Sequence, residues 1–125
     1  MGGEGGWRPP FASGKIAGSY EPLKIYMELA RERGREDLLD ASILREEDFR
    51  MLRERVEREG RVRLLDLLNE LEEYFAERVD PELAREAYRR YGLDLATGDA
   101  RKRLARLMAA WLLEAGEEWG YVRLA

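Results

Sequence analysis

Residues 97–125 read TGDARKRLARLMAAWLLEAGEEWGYVRLA, a basic start followed by an apolar middle and an aromatic end. Apolar side chains recur here at helical spacing, which predicts a buried stripe on a helix spanning about 100–115. The stripe consists of Leu104, Leu107, Met108, Trp111, Leu112 and Ala115. Thr97 or Asp99 is expected to cap this helix and Gly116 to end it. Glu117 to Leu124 is expected to be extended, because Trp, Tyr and Val favour strands.

The same spacing predicts further helices before this segment. They are expected from Pro22 up to Gly34, over 45–59 with Gly60 as the stop, and over 62–78. Asp80-Pro81 predicts a capped helix start, and that helix is expected to run to residue 91. A short helical turn is expected near Leu38 and Leu39, and a short strand over 93–97.

The apolar positions of these helices are expected to form the core. The helix over 62–78 has the broadest apolar set, which indicates the central, most buried helix. The residues expected to face inward are Leu23, Tyr26, Met27, Ala30, Phe49, Leu52, Val56, Leu64, Leu65, Leu67, Leu68, Leu71, Tyr74, Phe75, Leu83, Ala84, Ala87, Tyr88 and Tyr91.

The chain of 125 residues has the size of one domain. Residues 1–20 hold six of the twelve glycines and two of the four prolines, which is typical of a flexible leader. Within it, Trp7 and Phe11 are candidates for docking onto the body or onto a partner. Residues 21–125 are expected to form a single, mainly α domain.

The composition excludes several kinds of chemistry. The chain has no cysteine and no histidine, so disulfides, thiolate or imidazole metal sites, and Ser–His or Cys–His catalysis are impossible. Glutamate and aspartate cluster at 46–48 and 70–73, but arginines interleave with them, as on solvated helix faces. We therefore expect no enzyme activity, no metal and no cofactor.

Other compositional features concern the source and the cellular location. The chain has 19 arginines, 3 lysines, one asparagine and no glutamine, which favours a heat-adapted source, although a GC-rich genome also favours arginine. The start, MGGEGGWRPP, lacks the pattern of a signal peptide, and no apolar run has the length of a membrane span. A cytoplasmic location without membrane contact is expected.

Charge is distributed unevenly along this chain of net charge −4. Residues 21–82 carry a net −7, whereas residues 83–125 carry a net +2. Four cations, Arg101, Lys102, Arg103 and Arg106, lie at the start of the last predicted helix, where the helix dipole disfavours positive charge. An external phosphate would resolve this conflict. Neutralisation by nearby acidic residues, Glu86, Asp94 and Asp99, is the alternative.

The element order resembles a winged helix-turn-helix domain. The resemblance lies in PELAREAYRRYG, LDLATGD, ARKRLARLMAAWLLEAG and EEWGYVRLA, with LLDLLNELEEYF as the first helix, and it covers 62–125. It implies a recognition helix that contacts duplex DNA through Arg101, Lys102, Arg103 and Arg106. It further implies a wing that carries Tyr121 and Arg123. Many winged-helix domains bind proteins instead, and the wing here is short.

Two functional hypotheses follow. The first is a small DNA-binding protein that uses the basic start of its last helix on phosphates or in the major groove. The second is a helical adaptor or assembly subunit that binds a protein partner, or a second copy, through its acidic middle helices or its leader. Tyr88 to Tyr91, YRRY, also interleaves aromatic and basic side chains as single-strand binders do, but the spacing predicts that both tyrosines lie in the core.

Overall fold

The computed structural model describes residue 16, residues 18–118 and residue 120. Within these residues the chain forms six α-helices and no strand, which confirms the mainly α class. The helices are α1 (Glu21–Glu32), α2 (Glu36–Ala41), α3 (Glu46–Glu59), α4 (Leu64–Ala76), α5 (Pro81–Tyr91) and α6 (Thr97–Glu118). Trp7 and Phe11 of the expected leader lie outside the described residues.

Helix α6 is the centre of the bundle. It packs against α1, α3, α4 and α5, and every residue from 108 to 116 is buried. Trp111, the largest wholly buried side chain, lies in this stretch. Helix α4 therefore buries its apolar face mainly against α6, whereas α1 packs chiefly on α5, and α2 packs on α1.

The expectation that α4 is the central helix is wrong. Its first turn leaves Leu64 and Leu65 with 42% and 60% of their surface exposed, and Tyr74 is 39% exposed. One face of α4 packs against α6, and Leu67, Leu71 and the neighbouring apolar residues on this face are buried. A broad apolar set does not by itself identify the central helix, because burial also depends on how many neighbours surround the helix.

The ends of α6 also differ from the expectation. The helix begins at Thr97 rather than at 100 and continues through Gly116 to Glu118, so Glu117 and Glu118 are helical rather than extended. Gly116 is buried and has no positive φ, so it does not provide the left-handed turn by which glycine ends a helix. The other residues of the expected strand lie outside the described part, apart from Gly120.

The boundaries of α5 agree with the sequence prediction. The Leu83 N–H donates to Asp80 Oδ2 at 2.9 Å, and Pro81 occupies the first turn, where no N–H is needed. Gly92 ends the helix with φ 118°, a conformation that favours glycine. The Leu93 N–H then donates to the Tyr88 carbonyl at 2.8 Å, so residues 93–96 form a connector and not the expected strand.

Most of the predicted core is confirmed. Tyr91 is an exception, as Leu64, Leu65 and Tyr74 are: it is 42% exposed, although the helical spacing predicted burial. Val56 and Leu107 are partly buried. The confirmed core residues are Leu23, Tyr26, Met27, Ala30, Phe49, Leu52, Leu67, Leu68, Leu71, Phe75, Leu83, Ala84, Ala87, Tyr88, Leu104, Met108, Trp111, Leu112 and Ala115.

A buried ion pair joins α3 to the end of α4. Asp48 is wholly buried, and its Oδ1 accepts hydrogen bonds from Arg78 Nη1 at 2.9 Å and from the Tyr74 hydroxyl at 2.7 Å. Its Oδ2 accepts the Arg45 N–H at 2.9 Å, which caps the first turn of α3. Both carboxylate oxygens are thus satisfied, as a buried charge requires.

The Arg78 guanidinium also holds the connector between α2 and α3. Nε donates to the Ala41 carbonyl and Nη2 to the Ile43 carbonyl, each at 3.0 Å. The guanidinium carbon lies 4.9 Å from the centre of the Phe75 ring. One side chain therefore connects three separate parts of the chain.

The segment before α1 is attached to α6. The Ile16 N–H donates to Glu114 Oε2 at 2.7 Å, and Tyr20, which the sequence assigned to the leader, is buried with 5% of its surface exposed. Burial and the nearby Glu114 carboxylate raise the pKa of Tyr20. Among the described helices, none is both long and apolar enough to cross a bilayer.

Candidate nucleic-acid interface

The N-terminal end of α6 carries three exposed cations, Arg101, Lys102 and Arg103, hereafter the cationic cluster. Their side chains form no ion pair or hydrogen bond with the residues that the structure describes. The first turn of α6 also holds an acidic residue, Asp99, as the helix dipole favours, and the cationic cluster lies in the turn that follows. Because α6 begins at Thr97 and not at 100, the predicted conflict between these cations and the helix dipole is relieved, but the cluster has no described counter-ion.

Arg106 differs from the cluster. Its Nη1 donates to Glu72 Oε1 at 3.0 Å and to Asn69 Oδ1 at 3.3 Å, and 41% of its side chain is exposed. Helix α4 thus supplies the counter-ion for Arg106. Of the four cations predicted as one group, three have no described partner, and the fourth, Arg106, is paired with Glu72.

The acidic residues expected to neutralise the cluster do not pair with it. Asp94 lies 3.8 Å from Arg85 and 3.9 Å from Arg89, both on α5. Glu86 likewise pairs with α5 arginines. Asp99, although exposed in the first turn of α6, forms no ion pair with a described residue.

The alanine-bearing face of α6 is closed. Ala109, Ala110 and Leu113 lie outside the predicted apolar stripe, yet at most 2% of any of these residues is exposed. Other helices therefore pack around α6 on more than the one predicted stripe. Every residue from 108 to 116 is buried, so this part of α6 cannot lie in a groove.

A cleft of about 450 Å³ opens beside the cationic cluster. Its lining includes Tyr91, Leu93 and Arg103 together with apolar side chains of α4 and α6. The rings of Tyr88 and Tyr91 meet edge to face, with their centres 6.3 Å apart. Burial raises the pKa of Tyr88 to about 12, while the positive charge of Arg103 acts in the opposite direction.

The other side of the cluster is partly acidic. A second cleft, of about 520 Å³, contains Arg101 and Lys102 but also Glu72 and Glu73. These carboxylates disfavour a phosphate in that cleft. An anion is therefore better accommodated on the Arg103 side, next to Tyr91.

Of the remaining predicted site residues, Tyr121 and Arg123 lie outside the described part of the chain. The helical spacing did not predict the exposure of Tyr91. A signal for it is present in the sequence, since Tyr91 directly precedes Gly92 and so lies on the last turn of α5, where the next helix need not cover it.

The acidic clusters take part in ion pairs. Glu70 accepts two hydrogen bonds from Arg55, at 2.8 and 2.7 Å, and this contact lowers the pKa of Glu70. Glu72 and Asp48 pair with Arg106 and Arg78. In the part of the chain that the structure describes, no group of three or more acidic side chains is placed to hold a metal ion.

Comparison of the chain with family models, with curated proteins and with solved structures gave no match.

Proposed function

We propose that this protein binds DNA and contacts its phosphates with the cationic cluster at the N-terminal end of α6. The observation that carries the proposal is the exposure of Arg101, Lys102 and Arg103 without described partners, in a chain whose net charge is −4. A phosphate placed there would supply the counter-charge that these cations lack among the described residues.

The distribution of charge along the chain favours the same binding surface. Residues 81–106 contain seven basic and four acidic residues, whereas the chain as a whole is acidic. Because exposed charges of one sign attract counter-charges over about a Debye length, this segment would steer a polyanion toward α5 and α6 and away from the acidic helices.

A winged helix-turn-helix-like unit is part of the proposal. Helices α4, α5 and α6 would form its helical part, with residues 92–96 as the connector. In such units the N-terminal residues of the recognition helix reach the DNA, and α6 exposes Arg101, Lys102 and Arg103 near that end. Tyr121 and Arg123 would belong to the wing, and Glu117 and Glu118 would lie before it.

The triple charge reversal R101E/K102E/R103E is expected to weaken DNA binding at least about 100-fold at low salt. Three lost phosphate contacts would also flatten the plot of log affinity against log salt by about 3 units. The melting temperature is expected to stay the same, since these side chains have no described partners. Fluorescence anisotropy with a labelled oligonucleotide, over a series of salt concentrations, measures both quantities.

A matched control is the variant R31E/R50E/R61E. These three arginines are also exposed and without described side-chain partners, and they lie on other parts of the surface. The net charge changes equally, so the control is expected to lose only a small part of the affinity. Equal losses in the two variants, or absence of binding by the unaltered protein, would refute the proposal.

A second candidate function is binding to a protein partner, and one observation favours it. Leu64 and Leu65 are adjacent and exposed on the first turn of α4. We expect the variant L64S/L65S to retain DNA binding and to lose a partner, or self-association, if this patch is an interface. Analytical ultracentrifugation of the unaltered protein and of L64S/L65S tests self-association directly. If both proteins give the same sedimentation profile at high concentration, a second copy is excluded as the partner.

A further inference from the structure

We infer that the cleft beside the cationic cluster receives one unpaired nucleobase, stacked on Tyr91, while Arg103 contacts a neighbouring phosphate. The inference rests on the phosphate contact of the proposed function and not on its winged helix-turn-helix-like unit, and it makes single-stranded rather than duplex nucleic acid the preferred ligand.

Tyr91 has the exposure and the support that a stacking platform needs. It is 42% exposed, whereas Tyr88, one helical turn earlier, is 4% exposed. The edge-to-face contact with Tyr88, with an interplanar angle of 88°, occupies at most one face of the Tyr91 ring. The buried neighbour thus supports the ring and leaves at least one ring face uncovered by Tyr88, and Tyr91 lines the open cleft.

The cleft suits a flat, partly apolar group. Its volume of about 450 Å³ lies within the range of roughly 300–1,000 Å³ that ligand pockets have. Leu68, Leu93 and Leu107 contribute apolar walls. An exposed tyrosine next to leucines and an arginine is the kind of surface on which bases stack irrespective of their sequence.

The charges at the cleft fit a nucleotide better than a neutral ligand. Both Arg103 and Arg106 line the cleft, but Glu72 and Asn69 already engage Arg106. Arg103 has no described ion pair and is the cation left for a phosphate. Since Glu72 and Glu73 lie in the second cleft, the sugar-phosphate chain would pass on the Arg103 side.

An unpaired base fits this arrangement and a paired one does not. In a duplex each base is covered by its neighbours, so a ring in a cleft cannot stack on it unless the base leaves the helix. The burial of residues 108–116 also prevents this part of α6 from entering a groove. A flexible single strand can place a base in the cleft and its phosphates on the cluster at once.

The test compares three labelled ligands of equal length: oligothymidine, the same strand paired with its complement, and an abasic strand that keeps the phosphates. Oligothymidine is expected to bind most tightly. Tyr91→Ala is expected to weaken its binding about 5- to 150-fold, the range for loss of one stacked base. Tyr91→Phe should bind like the unaltered protein, and binding of the abasic strand should be the same for all three proteins.

The outcomes separate this inference from the proposed function. If Tyr91→Ala binds oligothymidine normally while R101E/K102E/R103E does not, the cleft inference is wrong and the phosphate contact stands. Equal affinity for the abasic strand and oligothymidine would also show that the cleft inference is wrong.

If the unaltered protein binds none of the three ligands, both proposals are wrong. Tyr91-dependent binding of an acidic, aromatic peptide instead of DNA would overturn both in favour of a protein ligand. Unchanged melting temperatures show that the variants fold.

Discussion

Replacing Arg78 with alanine is expected to lower the free energy of unfolding by about 3–5 kcal/mol. Asp48 is wholly buried, so the substitution leaves a carboxylate charge inside the protein with only the Tyr74 hydroxyl and the Arg45 N–H to stabilise it. The carbonyls of Ala41 and Ile43 lose their donor at the same time. Urea or guanidinium unfolding followed by circular dichroism measures the difference.

Two further variants show whether the buried charge is the cause. In R78M/D48N no charge remains unpaired, and most of the lost stability is expected to return. Arg78→Lys keeps the charge, but an ammonium cannot reproduce the planar guanidinium that reaches Asp48 and two carbonyls, so a partial loss is expected. A loss below about 1 kcal/mol for Arg78→Ala would place this pair with ordinary surface ion pairs and contradict the prediction.

Raising the pH from 10 to 12 is expected to destabilise the fold by about 2 kcal/mol for each of Tyr26 and Tyr88. Burial raises the pKa of both phenols from 10.0 to about 12, and both residues are at least 96% buried. The folded state thus favours the protonated phenol. This stabilisation is complete below pH 10 and is lost as the pH rises toward 12. The pKa of Tyr20 is also raised by burial, so its ionisation destabilises the fold in the same direction.

Tyr88→Phe is the appropriate control for the alkaline effect, because the Tyr88 hydroxyl forms no hydrogen bond with a described residue that the substitution would remove. Tyr26 is less suitable, since its hydroxyl accepts the Asp80 N–H at 2.9 Å. The Tyr88→Phe variant should lose about 2 kcal/mol less between pH 10 and 12 than the unaltered protein. Unfolding in denaturant at several pH values measures this, and identical pH profiles for the two proteins would contradict the assignment.

Local chemistry explains which parts of the fold were predictable. The bounds of α5 follow from Asp80-Pro81 and Gly92, because a cap and a left-handed glycine act within a few residues. Gly116 has the same residue type as Gly92, yet α6 continues through it, because buried contacts hold the helix together there. A glycine permits a helix to end, but its tertiary surroundings decide whether it does.

The same distinction applies to the candidate site. The exposure of Arg101, Lys102 and Arg103 was predictable from the local charge pattern. The pairing of Arg106 with Glu72 was not, because the two residues are 34 positions apart and meet only through the packing of α4 on α6. The exposure of Tyr91 could not be derived from the helical spacing either. The spacing predicts which face of α5 is turned inward, but it does not predict how far along α5 the neighbouring helices cover that face.

The central position of α6 has a consequence for how the protein is made. It is the last of the described helices to leave the ribosome, yet α1, α3, α4 and α5 all pack against it. Until residues 104–115 have been synthesised, the apolar face of α4 lacks its main partner, and those of α1, α3 and α5 lack part of theirs. The nascent chain is therefore expected to expose apolar surface until α6 emerges, the condition under which incomplete chains aggregate.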